Sequence, residues 1–187
     1  MYNSKIIGLG HYVPENIVTN DDLSKIMDTT DEWIQERTGI KERRWVKSGD
    51  GQSTFTMGLE AAKKAISNSG IEKEDIDLIV FATLSPDYYF PGPGVQIQEA
   101  LEINTVAALD IRAQCSGFVY SISVADQFIK TGMYKNILVI GSELQSHGID
   151  KSTRGRSISV IFGDGAGAAI LTREEDLTKG ILSTHIH

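Results

Sequence analysis

Three short apolar runs decide what this chain can become. Residues 77–83 read DLIVFAT, residues 106–111 read VAALDI and residues 136–142 read NILVIGS. All are of strand length. The first and third are apolar without alternation, as strands are when a sheet is covered on both faces. Helical signals lie between them. Gln52 to Gly70 is predicted as a helix with Ser53 as its cap, a buried stripe of Phe55, Leu59, Ala62 and Ile66, and Gly70 at its end. Pro93 opens a second helix that runs through Leu101. Phe118, Ile122, Ala125 and Ile129 recur at the spacing of a third. A first strand is predicted over residues 4–10 (SKIIGLG), followed by a loop from His11 to Asn20. The order β-α-β-α-β-α-β-β predicts an α/β fold, a mostly parallel sheet between helix layers.

At 187 residues and 41% hydrophobic the chain is predicted to form one domain with a sizeable core. No apolar run reaches membrane-spanning length and no signal peptide opens the sequence, so no membrane association is expected. A single cysteine allows no internal disulfide, and a cytoplasmic protein is the default expectation. The net charge of −7 argues against non-specific binding to nucleic acid. The basic run KERRWVK, residues 41–47, is read as a solvated loop.

That cysteine, Cys115, falls where the strand ending at Ile111 gives way to the helix beginning near Phe118. Free N–H groups and the positive end of a helix dipole favour a thiolate there and can hold an oxyanion. Gly117 permits the close approach of a substrate or of another element. The residues alone leave open a nucleophile or a buried cysteine acting as a small hydrophobe. Thr19 or Asn20 is predicted to cap a short helix over Asp21–Met27. Thr30 is predicted to cap another from Asp31 to Thr38, closed by Gly39. Trp33 and Arg37 share a face of that second helix. Taken alone they read as a core anchor with a surface charge, a stacking platform for a flat ligand being the other reading. Phe90, between a tyrosine pair and a proline, suggests an interface or a pocket lid, local packing being the alternative. The glycine-rich run from Gly163 leads into AILT rather than into a helix. It is therefore read as tight packing of a hairpin-like strand pair and not as a phosphate loop.

DTTDEWIQERTGI, the Cys115 elbow and FGDGAGAAIL, in this order and spacing, resemble the β-ketoacyl-acyl-carrier-protein synthase III family of thiolase-like condensing enzymes. The resemblance covers essentially the whole chain and implies a five-stranded mixed sheet whose last strand is antiparallel. It implies that residues 1–187 form the N-terminal thiolase-like domain, with the C-terminal half of the family absent from this chain. It implies that Cys115 is the acylated nucleophile, that Thr29, Trp33 and Arg37 contact coenzyme A, and that Arg154 covers the other face of the adenine. Phe90 matches an aromatic that a partner subunit inserts at the acyl pocket, which implies a homodimer, and Phe162 is expected near that pocket. Acyl-coenzyme A is then a substrate, no resident cofactor or metal is expected, and malonyl-acyl-carrier-protein is the second partner.

Gln114 and Ser116 stand where many members carry alanines, which bears on the acyl group accepted. The family's catalytic histidine and asparagine belong to its second half. None of His11, His147, His185 and His187 stands in the matching motif, and His185 with His187 supplies too few ligands for a metal site. The 187-residue chain taken alone is therefore expected not to catalyse condensation. Two rival readings are another thiolase-like enzyme of a specialised pathway and a cysteine hydrolase. The second is disfavoured because Ala113, not glycine, stands two residues before the nucleophile.

Overall fold

The computed structural model describes residues 2–103 and 105–186. From the N-terminus the chain forms β1 (Asn3–Tyr12), β2 (Ile17–Thr19), α1 (Asn20–Ser24), α2 (Asp31–Thr38) and β3 (Glu42–Arg44). There follow α3 (Thr54–Ser69), β4 (Leu78–Ala82), α4 (Pro93–Ala100), β5 (Ala107–Ile111) and α5 (Gly117–Lys130). The last elements are β6 (Asn136–Glu143), α6 (Arg156–Ser159) and β7 (Gly165–Glu174). These divide into two compact units. One comprises Met1–Tyr12, Thr54–Glu143 and Ala166–His187, the other Val13–Ser53 and Leu144–Gly165.

The first unit is built on a five-stranded mixed sheet in the order β1-β7-β6-β4-β5. β4 runs parallel to β5 and to β6, while β7 runs antiparallel to β1 from Asn3↔Glu174 to Tyr12↔Ala166. The apolar runs are explained by this arrangement. Ile79, Phe81, Leu138, Ile140, Ala168 and Ile170 face one cluster with α3 and α4. The alternate residues Leu78, Val80, Ile137, Val139, Ala169 and Leu171 face a second cluster with α5. Side chains of a strand alternate between faces, so strands buried on both sides need unbroken apolarity.

Several expectations are corrected here. The buried face of α3 is Met57, Gly58, Ala61, Ala62 and Ala65, whereas Phe55, Leu59 and Ile66 are only partly buried. Small residues win that face because α3 lies directly on β1. A Cβ at Gly10 would stand 2.1 Å from the Ala61 carbonyl oxygen. β1 continues to Tyr12, and part of the expected loop pairs as β2 with β3. The hairpin-like pairing of the glycine-rich run is not formed by its immediate neighbours. Ile158 lies in α6, and β7 fits between β1 and β6, an interior position that suits its two-sided apolarity.

The second unit packs Leu23, Met27, Ile34, Trp45 and Val160 around the β2–β3 pair, α1, α2 and α6. α1 is capped by Thr19, whose hydroxyl accepts from the Asp22 N–H. The KERRWVK segment is not a solvated loop. Arg43 is buried on β3, and just beyond that strand Trp45 and Val46 are buried where Trp45 Nε1 donates to the Phe162 carbonyl and Val46 N to Asp164. The FGDG turn is fixed by buried Asp164, which accepts from Val46 N at 2.7 Å, from Ser146 N at 2.8 Å and from the Ser146 hydroxyl.

Candidate active site and coenzyme face

β5 releases the chain at Ile111, and a single 3-10 turn, Gln114–Ser116, carries it into α5. Cys115 sits in that turn with its side chain exposed. Gln114 adopts φ 48°, the left-handed region that costs a non-glycine residue about 1 kcal/mol or more. The turn therefore holds a conformation that the surroundings enforce, and it presents the thiol at the start of a 14-residue helix. Ser116 does not cap α5. Its hydroxyl donates to the Ala113 carbonyl at 2.9 Å, which leaves the first-turn N–H groups without a Ser116 cap. Gly117 is the position of close approach, and the approaching element is β4: a Cβ there would meet the Ala82 Cβ at 3.2 Å.

Asp110, one residue before the end of β5, ties this strand to the loop before α4. Its carboxylate accepts from Gly94 N at 2.8 Å. A Cβ at Gly92 would fall 2.0 Å from the same carboxylate, so the loop closes on it only because residue 92 is glycine. Burial pushes the Asp110 carboxyl above its ordinary range, and the Gly94 N–H opposes that rise. Asp110, Arg112, Thr83, Tyr88 and Tyr89 line a pocket of about 150 Å³ where β5 runs out toward the Cys115 turn.

The loop from Leu84 to Gly92 is pinned at two carboxylates. Glu143 accepts from Leu84 N at 2.7 Å and from the Ser85 hydroxyl at 2.6 Å. Asp87 accepts from Thr54 N and Phe55 N, and so serves the first turn of α3. Just beyond Asp87, Tyr88, Tyr89 and Phe90 stand 64%, 87% and 92% exposed. Local packing therefore does not account for Phe90.

In the second unit, Thr30 caps α2 by accepting from Trp33 N at 3.1 Å, and Gly39 closes the helix at φ 70°. The Arg37 guanidinium lies 4.5 Å from the Trp33 ring centroid. A second guanidinium lies 4.7 Å from it, and it belongs to Arg156. Arg154 does not take this place. It pairs with Asp150 at 2.8 Å and its side chain is 90% exposed. The reason is local. The 3-10 turn Thr153–Gly155 points Arg154 back to Asp150, and Arg156 begins α6 with its guanidinium donating to the Asp28 carbonyl. The Thr153 hydroxyl also accepts from Asp28 N at 2.9 Å. Asp150 is held at a pKa of about 2 by the Ser152 hydroxyl, then the Ser152 N–H and Arg154.

Thr29 is buried, and its hydroxyl oxygen has no partner among the described residues. Phe162 is half-buried, its carbonyl accepting from Trp45 Nε1 at 2.9 Å. Of the expected site residues, the structure thus groups Trp33 with Arg37, exposes Cys115 and Phe90, and places Arg156 rather than Arg154 over the Trp33 ring. No group of three or more potential metal ligands occurs among the described residues. His185 hydrogen-bonds Ser183, and His187 lies outside the described residues.

A half-buried aromatic–guanidinium cluster suits a flat, anionic ligand, and an exposed thiol at a helix start suits acyl transfer. A family profile described as 3-Oxoacyl-[acyl-carrier-protein (ACP)] synthase III matches residues 109–187. The β-ketoacyl-[acyl-carrier-protein] synthase III of Aliivibrio fischeri is 52% identical over 184 residues, covering 98% of this chain and 56% of that protein. The protein of the same description from Clostridium novyi is 49% identical over 185 residues, covering 99% of this chain and 55% of that relative. Among solved structures, 3-oxoacyl-[acyl-carrier-protein] synthase III from Aquifex aeolicus superimposes with a TM-score of 0.88 at 49% identity, over 92% of this chain and 55% of the other. The priming β-ketosynthase of the R1128 polyketide pathway gives 0.87 at 32% identity, over 92% and 51%. The chain spans about half the length of the curated relatives it matches.

Proposed function

The chain belongs to the β-ketoacyl-[acyl-carrier-protein] synthase III family, and from that premise we propose that the protein carrying it initiates fatty-acid synthesis. The observation that carries the proposal is Cys115, an exposed thiol on an enforced turn at the start of α5. Its thiolate attacks the carbonyl carbon of acyl-coenzyme A. The first-turn N–H groups of α5 receive the oxyanion, and the coenzyme leaves as its thiol while the acyl group stays as a thioester on Cys115. Malonyl-acyl-carrier-protein then loses carbon dioxide. Its carbanion attacks the thioester and frees Cys115, and the 3-oxoacyl product departs on the carrier protein. The histidine and asparagine that stabilise the carbanion in this family are assigned to its second half, so the 187-residue chain by itself is proposed to accept an acyl group without condensing it.

Trp33, Arg37 and Arg156 form the coenzyme face in this reading. The adenine stacks at this aromatic–guanidinium cluster, taking the place that Arg156 holds over Trp33, and both arginines neutralise phosphate charge. Thr29, whose buried hydroxyl oxygen lacks a partner among the described residues, remains a proposed coenzyme contact. Phe162 remains a proposed acyl-pocket residue. A homodimer is proposed as well. β5 pairs only with β4 and leaves one edge open, Leu109 is 37% exposed on it, and the pinned loop projects Phe90. A cytoplasmic location is proposed, and no described helix is long and apolar enough to cross a membrane.

One experiment tests the central claim. The chain is incubated with isotopically labelled acyl-coenzyme A and the adduct is mapped by mass spectrometry. The expected result is one acyl group on Cys115, absent from Cys115→Ala. Label retained by Cys115→Ala would overturn the assignment, and rapid release of free acid without an acceptor would favour the hydrolase. The likeness to a polyketide priming enzyme supports a second reading, a condensing enzyme of a specialised pathway. Competition between carrier proteins as acceptors of the Cys115 acyl group in the whole protein separates the two.

A further inference from the structure

A guanidinium withdrawn from water ordinarily stands against a carboxylate, because the cost of burying its charge is otherwise not offset. Arg43 is 6% exposed, and no ion pair among the described residues includes it. It is instead surrounded by neutral oxygens. One terminal nitrogen donates to the Val18 carbonyl at 3.1 Å. The other donates to Asn20 Oδ1 at 2.7 Å and to the Val160 carbonyl at 3.1 Å, while Nε has no partner.

The partners show what this arrangement contributes. Val160 caps the C-terminus of the four-residue helix α6, whose first residue is Arg156. Asn20 donates to Asp31 Oδ1 at 2.8 Å, at the first residue of α2, and to the Ile40 carbonyl at 2.7 Å, just beyond its end. One guanidinium thus joins the helix that bears Trp33 to the helix that bears Arg156. A packed apolar side chain could fill the space but could not fix two helices by directed bonds. We propose that Arg43 is a positioning residue of the coenzyme face, setting the register of α6 against α2 so that Arg156 lies over Trp33. This rests on the reading of Trp33 and Arg156 as the coenzyme A face.

The test uses Arg43→Met, Arg43→Lys, Arg156→Ala and the Arg43→Met/Arg156→Ala double variant. Affinity for coenzyme A is read by calorimetry. The environment of Trp33 is read from the fluorine NMR signal of 5-fluorotryptophan, assigned through Trp33→Phe. Arg43→Met is expected to weaken coenzyme A by about fivefold, as Arg156→Ala does, with no further loss in the double variant. It is also expected to move the Trp33 signal to the position seen in Arg156→Ala. Arg43→Lys, which keeps the charge and part of the bonding, falls between Arg43→Met and the unaltered chain. A folded Arg43→Met with unchanged affinity and an unmoved Trp33 signal overturns the proposal, as do losses that multiply in the double variant. Where Arg43→Met does not fold, an Arg43→Lys identical to the unaltered chain in both readouts overturns it equally. If the unaltered chain does not bind coenzyme A, the coenzyme reading fails, while the fluorine signal still decides the role of Arg43.

Discussion

Replacing Gly10 by alanine should separate α3 from the sheet. An alanine Cβ at this position would lie 2.1 Å from the Ala61 carbonyl oxygen, 2.5 Å from Ala65 N and 2.9 Å from Lys64 Cβ. Ordinary contact begins at about 3.4 Å, so the helix would have to retreat by about 1.3 Å. Two of the three opposing atoms are helix backbone and cannot swing aside. Retreat would loosen Ala61 and Ala65, both fully buried, and with them the contact of α3 with β6. Overpacking of this kind costs about 1–3 kcal/mol and occasionally more, and unyielding backbone places this case near 3 kcal/mol. For a chain of this size each kcal/mol lowers the melting temperature by about 2–4 °C, so Gly10→Ala should melt about 6–12 °C lower. Thermal denaturation followed by circular dichroism measures this. Gly167→Ala is the matched control. Gly167 pairs with His11 on the neighbouring strand, a Cβ there meets nothing within 4 Å, and the variant should melt within about 2 °C of the unaltered chain. A Gly10→Ala that melts with the unaltered protein, or a Gly167→Ala that costs as much, would refute the reasoning.

Three further outcomes are expected at the proposed coenzyme face. Trp33→Ala should weaken coenzyme A by roughly 1–3 kcal/mol, the range for one base–aromatic stack, and an unchanged calorimetric affinity in a folded variant would make Trp33 a core anchor only. Arg156→Ala should weaken it by about fivefold and Arg154→Ala by less than about twofold, because Arg154 engages only an exposed ion pair; the reverse ranking would restore Arg154 to the site. The Asp150 carboxyl lies below its ordinary 3.8, so its contribution to the turn is present above pH 3.8 and is lost as pH falls through about 2. A carbon NMR titration should therefore place its midpoint near 2 and raise it more in Ser152→Ala than in Arg154→Ala, whereas a midpoint near 3.8 would contradict the hydrogen bonding seen here.

The fold was legible where one physical requirement dominates. Two-sided burial demands unbroken apolar strands, and DLIVFAT and NILVIGS could satisfy nothing else. Caps were legible for the same reason, since Thr30 and Gly39 answer the local needs of the ends of α2. The buried face of α3 was not. Periodicity favours large side chains, but the close approach of Gly8 and Gly10 on β1 selects alanines, and that selection depends on a strand more than forty residues earlier in the chain. The destination of β7 was hidden likewise, because its partner β1 stands at the other end of the sequence.

Cys115 and Trp33 stood out as candidates because their chemistry is carried by residue type. The second arginine was not, because RGR offers two guanidiniums two residues apart and only backbone geometry chooses between them. The choice follows from hydrogen bonds that no spacing rule expresses. Ser152 and Arg154 satisfy Asp150, and Asp28 gives its N–H to Thr153 and its carbonyl to Arg156. KERRWVK misled for a related reason. Charge suggests solvent, yet a guanidinium can be buried where carbonyls at helix ends lack partners, and Val160 at the end of α6 supplies one such carbonyl to Arg43. The residue that looks most like surface in the sequence thus bridges the two helices whose side chains make the proposed coenzyme face.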